Sequence, residues 1–118
     1  MAAPNLYAIA TITGKSAGVV VGTSATDVVS KAASSGKCLK VNSLYVTNCT
    51  GNAKYVTIDL YRSSTAYRIT YQLPIPPNAT LPVIQKDAPI YLEEGDKIRA
   101  TSEDTSTHEI VVSYEELS

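Results

Sequence analysis

Apolar and polar residues alternate with a period of two along most of this chain, the repeat of a strand with one face buried. The clearest stretch follows residue 54, where Val56, Ile58 and Leu60 fall on one face and Tyr55, Thr57, Asp59 and Tyr61 on the other. Arg62-Ser63-Ser64-Thr65 turns the chain, after which Tyr67, Ile69 and Tyr71 alternate with Arg68 and Thr70. Residues 37–49 read as one long strand whose apolar phase slips near Asn42-Ser43, from Leu39 and Val41 to Leu44 and Val46. A β-bulge explains such a slip.

Shorter strands are predicted at 6–13, closed by Gly14-Lys15-Ser16, and at Val19-Val20-Val21. Others are predicted at Asp27 to Ser30 after a Gly22-Thr23-Ser24 turn, and at 81–84, 90–92, 98–101 and 108–115. Ala32-Ala33-Ser34-Ser35-Gly36 is a flexible crossing, and Thr50-Gly51-Asn52-Ala53 a hairpin loop. The stretch Leu73-Pro74-Ile75-Pro76-Pro77-Asn78 cannot be a central strand, because proline supplies no ladder donor; it is expected at an edge or as a crossover. No amphipathic helix of useful length appears. The total is about eight or nine short strands at the spacing of a sandwich or barrel.

The 118 residues form one domain able to bury a core. With 10 Lys+Arg against 11 Asp+Glu, the net charge of -1 offers no basic field for nucleic acid or an anionic membrane surface. No apolar run spans a bilayer, and Met1-Ala2-Ala3-Pro4-Asn5 lacks the pattern of a signal peptide, so synthesis in the cytoplasm is expected. Eight Tyr with no Phe or Trp suit sheets with one wet face, and surfaces that meet other surfaces.

Cys38 and Cys49 stand at the two ends of one extended strand, tens of ångströms apart at about 3.3 Å per residue, so they are expected to be unbridged and mostly buried. Together with His108 they do not make a metal-ligand set, and no cofactor is implied. His108 beside Glu109 suggests a general base, yet neighbours on a strand point to opposite faces. Glu93, Glu94, Asp96, Glu103 and Asp104 could line a cation site, but without a calcium-loop spacing they read as a solvated acidic rim. Asn48-Cys49-Thr50 and Asn78-Ala79-Thr80 match the glycosylation acceptor pattern and read as hydrophilic turns. Gly14-Lys15-Ser16 lacks the glycine and helix of a phosphate-binding loop. No catalytic constellation emerges, and a non-enzymatic module is expected.

Three pieces carry a resemblance: Leu39-Lys40-Val41-Asn42-Ser43-Leu44-Tyr45-Val46-Thr47-Asn48 leading through 51–60, the turn Leu92-Glu93-Glu94-Gly95-Asp96, and the ending Val111-Val112-Ser113-Tyr114-Glu115-Glu116-Leu117. In this order they resemble small structural proteins of tailed-bacteriophage virions. The resemblance implies an all-β fold, a single antiparallel β-sandwich of jelly-roll type, with no enzymatic activity. It implies a decoration or cement protein on the capsid, or a neck, tail or fibre-base subunit. The partners would be the major capsid protein or neck and tail proteins, with copies of the chain itself as a homo-oligomer. A carbohydrate-binding module using Tyr61, Tyr67 or Tyr71 is the alternative, weakened by the lack of Trp.

Residues 1–7 are expected to be an N-terminal arm and 8–118 the sandwich. Contacts are expected from Leu6 and Tyr7 of the arm, and from an edge of Tyr61, Arg62, Tyr67 and Arg68, residue types enriched at binding hot spots.

Overall fold

The computed structural model describes residues 11–30, 36–85, 87–105 and 107–118. Among these residues the chain forms nine strands and no helix: β1 (Ile12–Val20), β2 (Thr26–Ser30), β3 (Cys38–Asn48), β4 (Lys54–Arg62), β5 (Thr65–Ile75), β6 (Thr80–Ile84), β7 (Ile90–Leu92), β8 (Lys97–Ser102) and β9 (His108–Leu117). Among the described residues no helix is long and apolar enough to cross a membrane.

The strands pair as a nested series. β4 pairs with β5, β3 with β6 and β7, β2 with β8, and β1 with β9, all antiparallel. The chain is thus one long hairpin with its head at Ser63-Ser64. Both head residues have positive φ (52° and 62°), as a two-residue turn matched to strand twist requires. The hairpin then rolls up, because β9 also pairs with β3 and β8 with β4. Two sheets result. Sheet I runs β1-β9-β3-β6, with β7 also on β3, and sheet II runs β2-β8-β4-β5. Apart from β4–β5 and β6–β7, successive strands cross between the sheets, which is the jelly-roll form of the sandwich.

The core lies between the sheets. Leu39, Val41, Leu44, Val46, Ile110 and Val112 of sheet I face Val56, Ile58, Ile98 and Ala100 of sheet II, all buried. Burying one such aliphatic side chain contributes on the order of 2 kcal/mol. The phase slip in β3 is a bulge between Val41 and Ser43, as expected. It lets Val41 and Leu44, three residues apart, both face inward.

One expectation about the strands changes. β1 runs unbroken through Gly14-Lys15-Ser16, because β9 pairs with it residue by residue from Ile12↔Leu117 to Val20↔Glu109. A long-range ladder therefore overrides the local turn signal. The proline-rich stretch lies at a sheet edge, as expected. Pro74 lies within β5 and Pro82 within β6, both at sheet edges where a missing donor is tolerated, while Ile75 is fully buried. The two short strands before residue 30 both join this sandwich, β1 in sheet I and β2 in sheet II. The expected arm at 1–7, with Leu6 and Tyr7, lies outside the described residues, as does most of the crossing at 32–36.

Candidate functional site

The expected edge of Tyr61, Arg62, Tyr67 and Arg68 does not form one surface. The register places Asp59 opposite Arg68 and Arg99, and Tyr61 opposite Lys97, on the outer face of sheet II, whereas Tyr67 pairs with the inward-leaning Leu60. That outer face is internally satisfied. Arg99 Nε donates to Asp59 Oδ1 at 3.2 Å, and its guanidinium lies 3.9 Å from the centre of the Tyr61 ring. Lys97 approaches the same ring at 5.9 Å and Asp27 at 3.5 Å, and Arg68 stacks over Tyr71 at 5.3 Å. Arg62 turns away to the β7–β8 turn. There its Nε donates to Asp96 Oδ2 at 3.0 Å, and the same oxygen accepts the Glu93 N–H at 2.8 Å. Gly95 supplies the positive φ (80°) that this turn demands. The Asp96 carboxylate raises the Arg62 pKa further above its ordinary value.

The outer face of sheet I is built differently. Cross-strand register lines up Gly18, Val111, Tyr45 and Pro82 in one row, and Ser16, Ser113 and Ser43 in the next. Neither row carries a charge. Val111 is 54% exposed, Tyr45 45%, and Val20, in the adjoining row, 54%. The serine row is held by a Ser16–Ser113 hydroxyl contact of 3.3 Å. Beside Tyr45 and Pro82 an open depression of about 470 Å³ is lined by Asn42, Ser43, Gln85 and Asp87. Charges flank the rows on either side: Glu109 at one end, Lys40 and Glu115 at the other. This uncharged patch was not anticipated from the sequence. Its signal was apolar residues at the outward, normally polar, positions of β1, β3 and β9.

His108 is buried and sits in a hydroxyl cluster. Its Nδ1 lies 2.6 Å from Ser102 Oγ and 3.1 Å from Thr107 Oγ1, and its Nε2 lies 3.3 Å from the Lys54 carbonyl. A carbonyl only accepts, which assigns the ring proton to Nε2 and makes Nδ1 the acceptor of the Ser102 hydroxyl. Desolvation lowers the His108 pKa, against smaller opposing effects of the Lys54 carbonyl and Glu103. A serine hydroxyl on an imidazole nitrogen is the arrangement of an activated nucleophile. Here, however, Ser102 is 4% exposed and His108 0%, so neither meets solvent as arranged. Glu109 points to the opposite face, as the strand period requires, and accepts a hydrogen bond from Cys49 Sγ at 3.2 Å.

The acidic residues do not converge. Glu93 and Asp96 gather on Arg62, and Glu103 and Asp104 on Lys54, whose Nζ is 2.7 Å from Asp104. Each group gathers on its own cation, two carboxylates to one positive charge. Neither cysteine forms a disulfide; Cys38 is buried as expected, but Cys49 is exposed because it lies just past the end of β3. The Glu109 carboxylate, through that hydrogen bond, raises the Cys49 thiol pKa. Asn48, in one of the two glycosylation patterns, is fully buried. Its amide nitrogen donates to the carbonyls of Asn52 (2.8 Å) and Ile75 (2.9 Å), and its oxygen accepts from the backbone N–H and hydroxyl of Thr50. All of its hydrogen-bonding capacity is used inside the protein.

Compared with known proteins, the chain matches no family model and no curated protein.

Proposed function

We propose that this chain is a non-enzymatic structural component of a tailed-bacteriophage virion, a decoration protein that binds the capsid surface in many copies. The observation that carries the reading is the uncharged patch on the outer face of sheet I, where Tyr45 and Val111 stand exposed. Apolar residues grouped on one outer face mark a surface that meets another protein. Tyrosine there supplies contact area with a hydroxyl that remains hydrated or paired. The same fold is used by viral coat domains and by sugar-binding domains, so the fold alone does not choose between them. The weight comes from the resemblance of 39–60, 92–96 and 111–117 to virion structural proteins. Many copies on a repeating lattice turn modest contact energy per copy into durable attachment.

Mass spectrometry of purified particles tests this. On the order of hundreds of copies, a stoichiometry matched to the major capsid protein, is the expected result for a repeated surface site. About a dozen copies or fewer would assign the chain to the neck or tail, and absence from particles would overturn the virion reading.

A further inference from the structure

We propose that β1 is a self-complementary docking edge, and that two copies of the chain join there antiparallel about a two-fold axis through Ser16. The backbone directions come first. The Thr11 N–H donates to the Ser118 carbonyl and the Ser118 N–H to that of Thr11, both at 3.0 Å, and the Val21 N–H donates to the His108 carbonyl at 3.0 Å. In an antiparallel pair such bonded positions recur at every second residue. The odd-numbered residues of β1 therefore point their N–H and C=O groups at β9. The even-numbered ones, Ile12, Gly14, Ser16, Gly18 and Val20, point theirs at the opposite edge. Among the described residues no strand pairs with that edge.

The remaining sheet edges carry features that block pairing. β5 contains Pro74 and β6 contains Pro82, β7 is three residues long, and β2 is five residues long with a bulge after Asp27. β1 has nine residues, no proline and no bulge, and all of them except Ala17 and Val19 are exposed.

The order of the five edge-pointing residues is Ile, Gly, Ser, Gly, Val, which reads nearly the same in both directions. A two-fold axis through Ser16 sets Ser16 against itself, Gly14 against Gly18 of the second copy, and Ile12 against Val20 of the second copy. Each of these is a bonded pair, so every open N–H and C=O of the edge is satisfied. Ile12 and Val20, 61% and 54% exposed, cover each other at both ends. The glycines leave the centre open to close approach, and a Cβ added at Gly14 would meet nothing within 4 Å. The charged residue of β1, Lys15, projects to the other face of the sheet and is held by Glu116 of its own chain at 2.6 Å. The pairing thus brings no like charges into opposition on the outer face, and it extends sheet I through the new dimer. It is a property of the isolated chain and stands apart from the virion reading.

Sedimentation equilibrium of the full chain tests the proposal. The expected result is a concentration-dependent rise from 12.6 kDa to twice that mass. Ser16→Pro removes the central edge donor from both copies and leaves the donors to β9 intact; the dimer should dissociate at least tenfold more readily. Should that variant fail to fold, surface substitutions decide. Ile12→Lys and Val20→Glu should each weaken the dimer, and the two combined in one chain should restore it, because the substituted positions face each other only between copies. A wild-type mass of 12.6 kDa at every concentration would overturn the proposal. So would a dimer indifferent to these variants, or a double variant no stronger than either single one.

Discussion

The outer faces of the two sheets have the same strand geometry and opposite chemistry. On sheet II, Asp59, Arg99, Tyr61, Lys97 and Asp27 answer one another, and Arg68 lies over Tyr71. On sheet I, Tyr45 and Val111 stand in register with Gly18 and Pro82, beside a row of serines, with no charged partner. Residue type alone favours sheet II as the binding surface, since tyrosine and arginine dominate hot spots. The observed contacts reverse that preference. A guanidinium already paired to a buried carboxylate and stacked on a ring would have to surrender both to meet a partner, whereas exposed aliphatic area gains by being covered.

Substitutions on each face sharpen the contrast. Asp59→Ala removes a buried acceptor and strands Arg99, so chemical denaturation should show a loss of about 2 kcal/mol, while attachment to particles stays at the wild-type level. Val111→Glu should do the reverse. Binding to purified particles should fall at least tenfold, about 1.4 kcal/mol, with unfolding free energy changed by no more than about 0.5 kcal/mol. Normal attachment by the Val111 variant, or lost attachment by a folded Asp59 variant, would invert the roles of the faces.

A smaller effect concerns the seam between the sheets. Burial lowers the His108 pKa, so below its ordinary value of 6.5 the unfolded chain takes up a proton that the folded chain refuses. Stability is therefore fully present above pH 6.5 and is lost as pH falls through the lower, folded value. The slope is at most about 1.4 kcal/mol for each pH unit. Thermal unfolding between pH 7 and 5 should show the decline in the wild type and a flatter curve in His108→Gln. Equal slopes in the two proteins would mean that His108 does not govern this range.

Much of the fold was legible because its signals are local. The alternation in β4, the phase slip at Asn42 and the prolines of β5 and β6 each report on the strand that contains them. Those strands formed as expected, with the bulge in place and the proline-rich stretch at an edge. β1 was misread because Gly14-Lys15-Ser16 looks like a turn until β9, about a hundred residues away in sequence, supplies its partner. The Ser63-Ser64 head was legible as a turn, but lacks the Asn-Gly signature of its two-residue geometry.

Sites were harder to read. The separation of Tyr67 from Tyr61 follows from the two-residue head at Ser63-Ser64, which sets Tyr61 opposite Ala66 and Tyr67 opposite Leu60, a register that the alternation within each strand does not reveal. The Ser102–His108 contact joins the last residue of β8 to the first of β9 across a change of sheet, a proximity that strand period cannot foretell. Asn48 looked like a solvent-facing turn residue, because nothing local announces that the end of β5 comes over it and draws a bond from its amide.

The middle position of β9 in sheet I has a consequence for how the chain is made. β1 and β3 do not pair with each other; both wait for 108–117. During synthesis the ribosome must therefore deliver nearly everything described before that sheet can close, and the aliphatic faces of β3 and β4 remain wet until then. Such a wiring places acquisition of the native state among the slow cases, milliseconds to seconds. In a crowded cell the emerging polypeptide is most vulnerable to clumping in that interval.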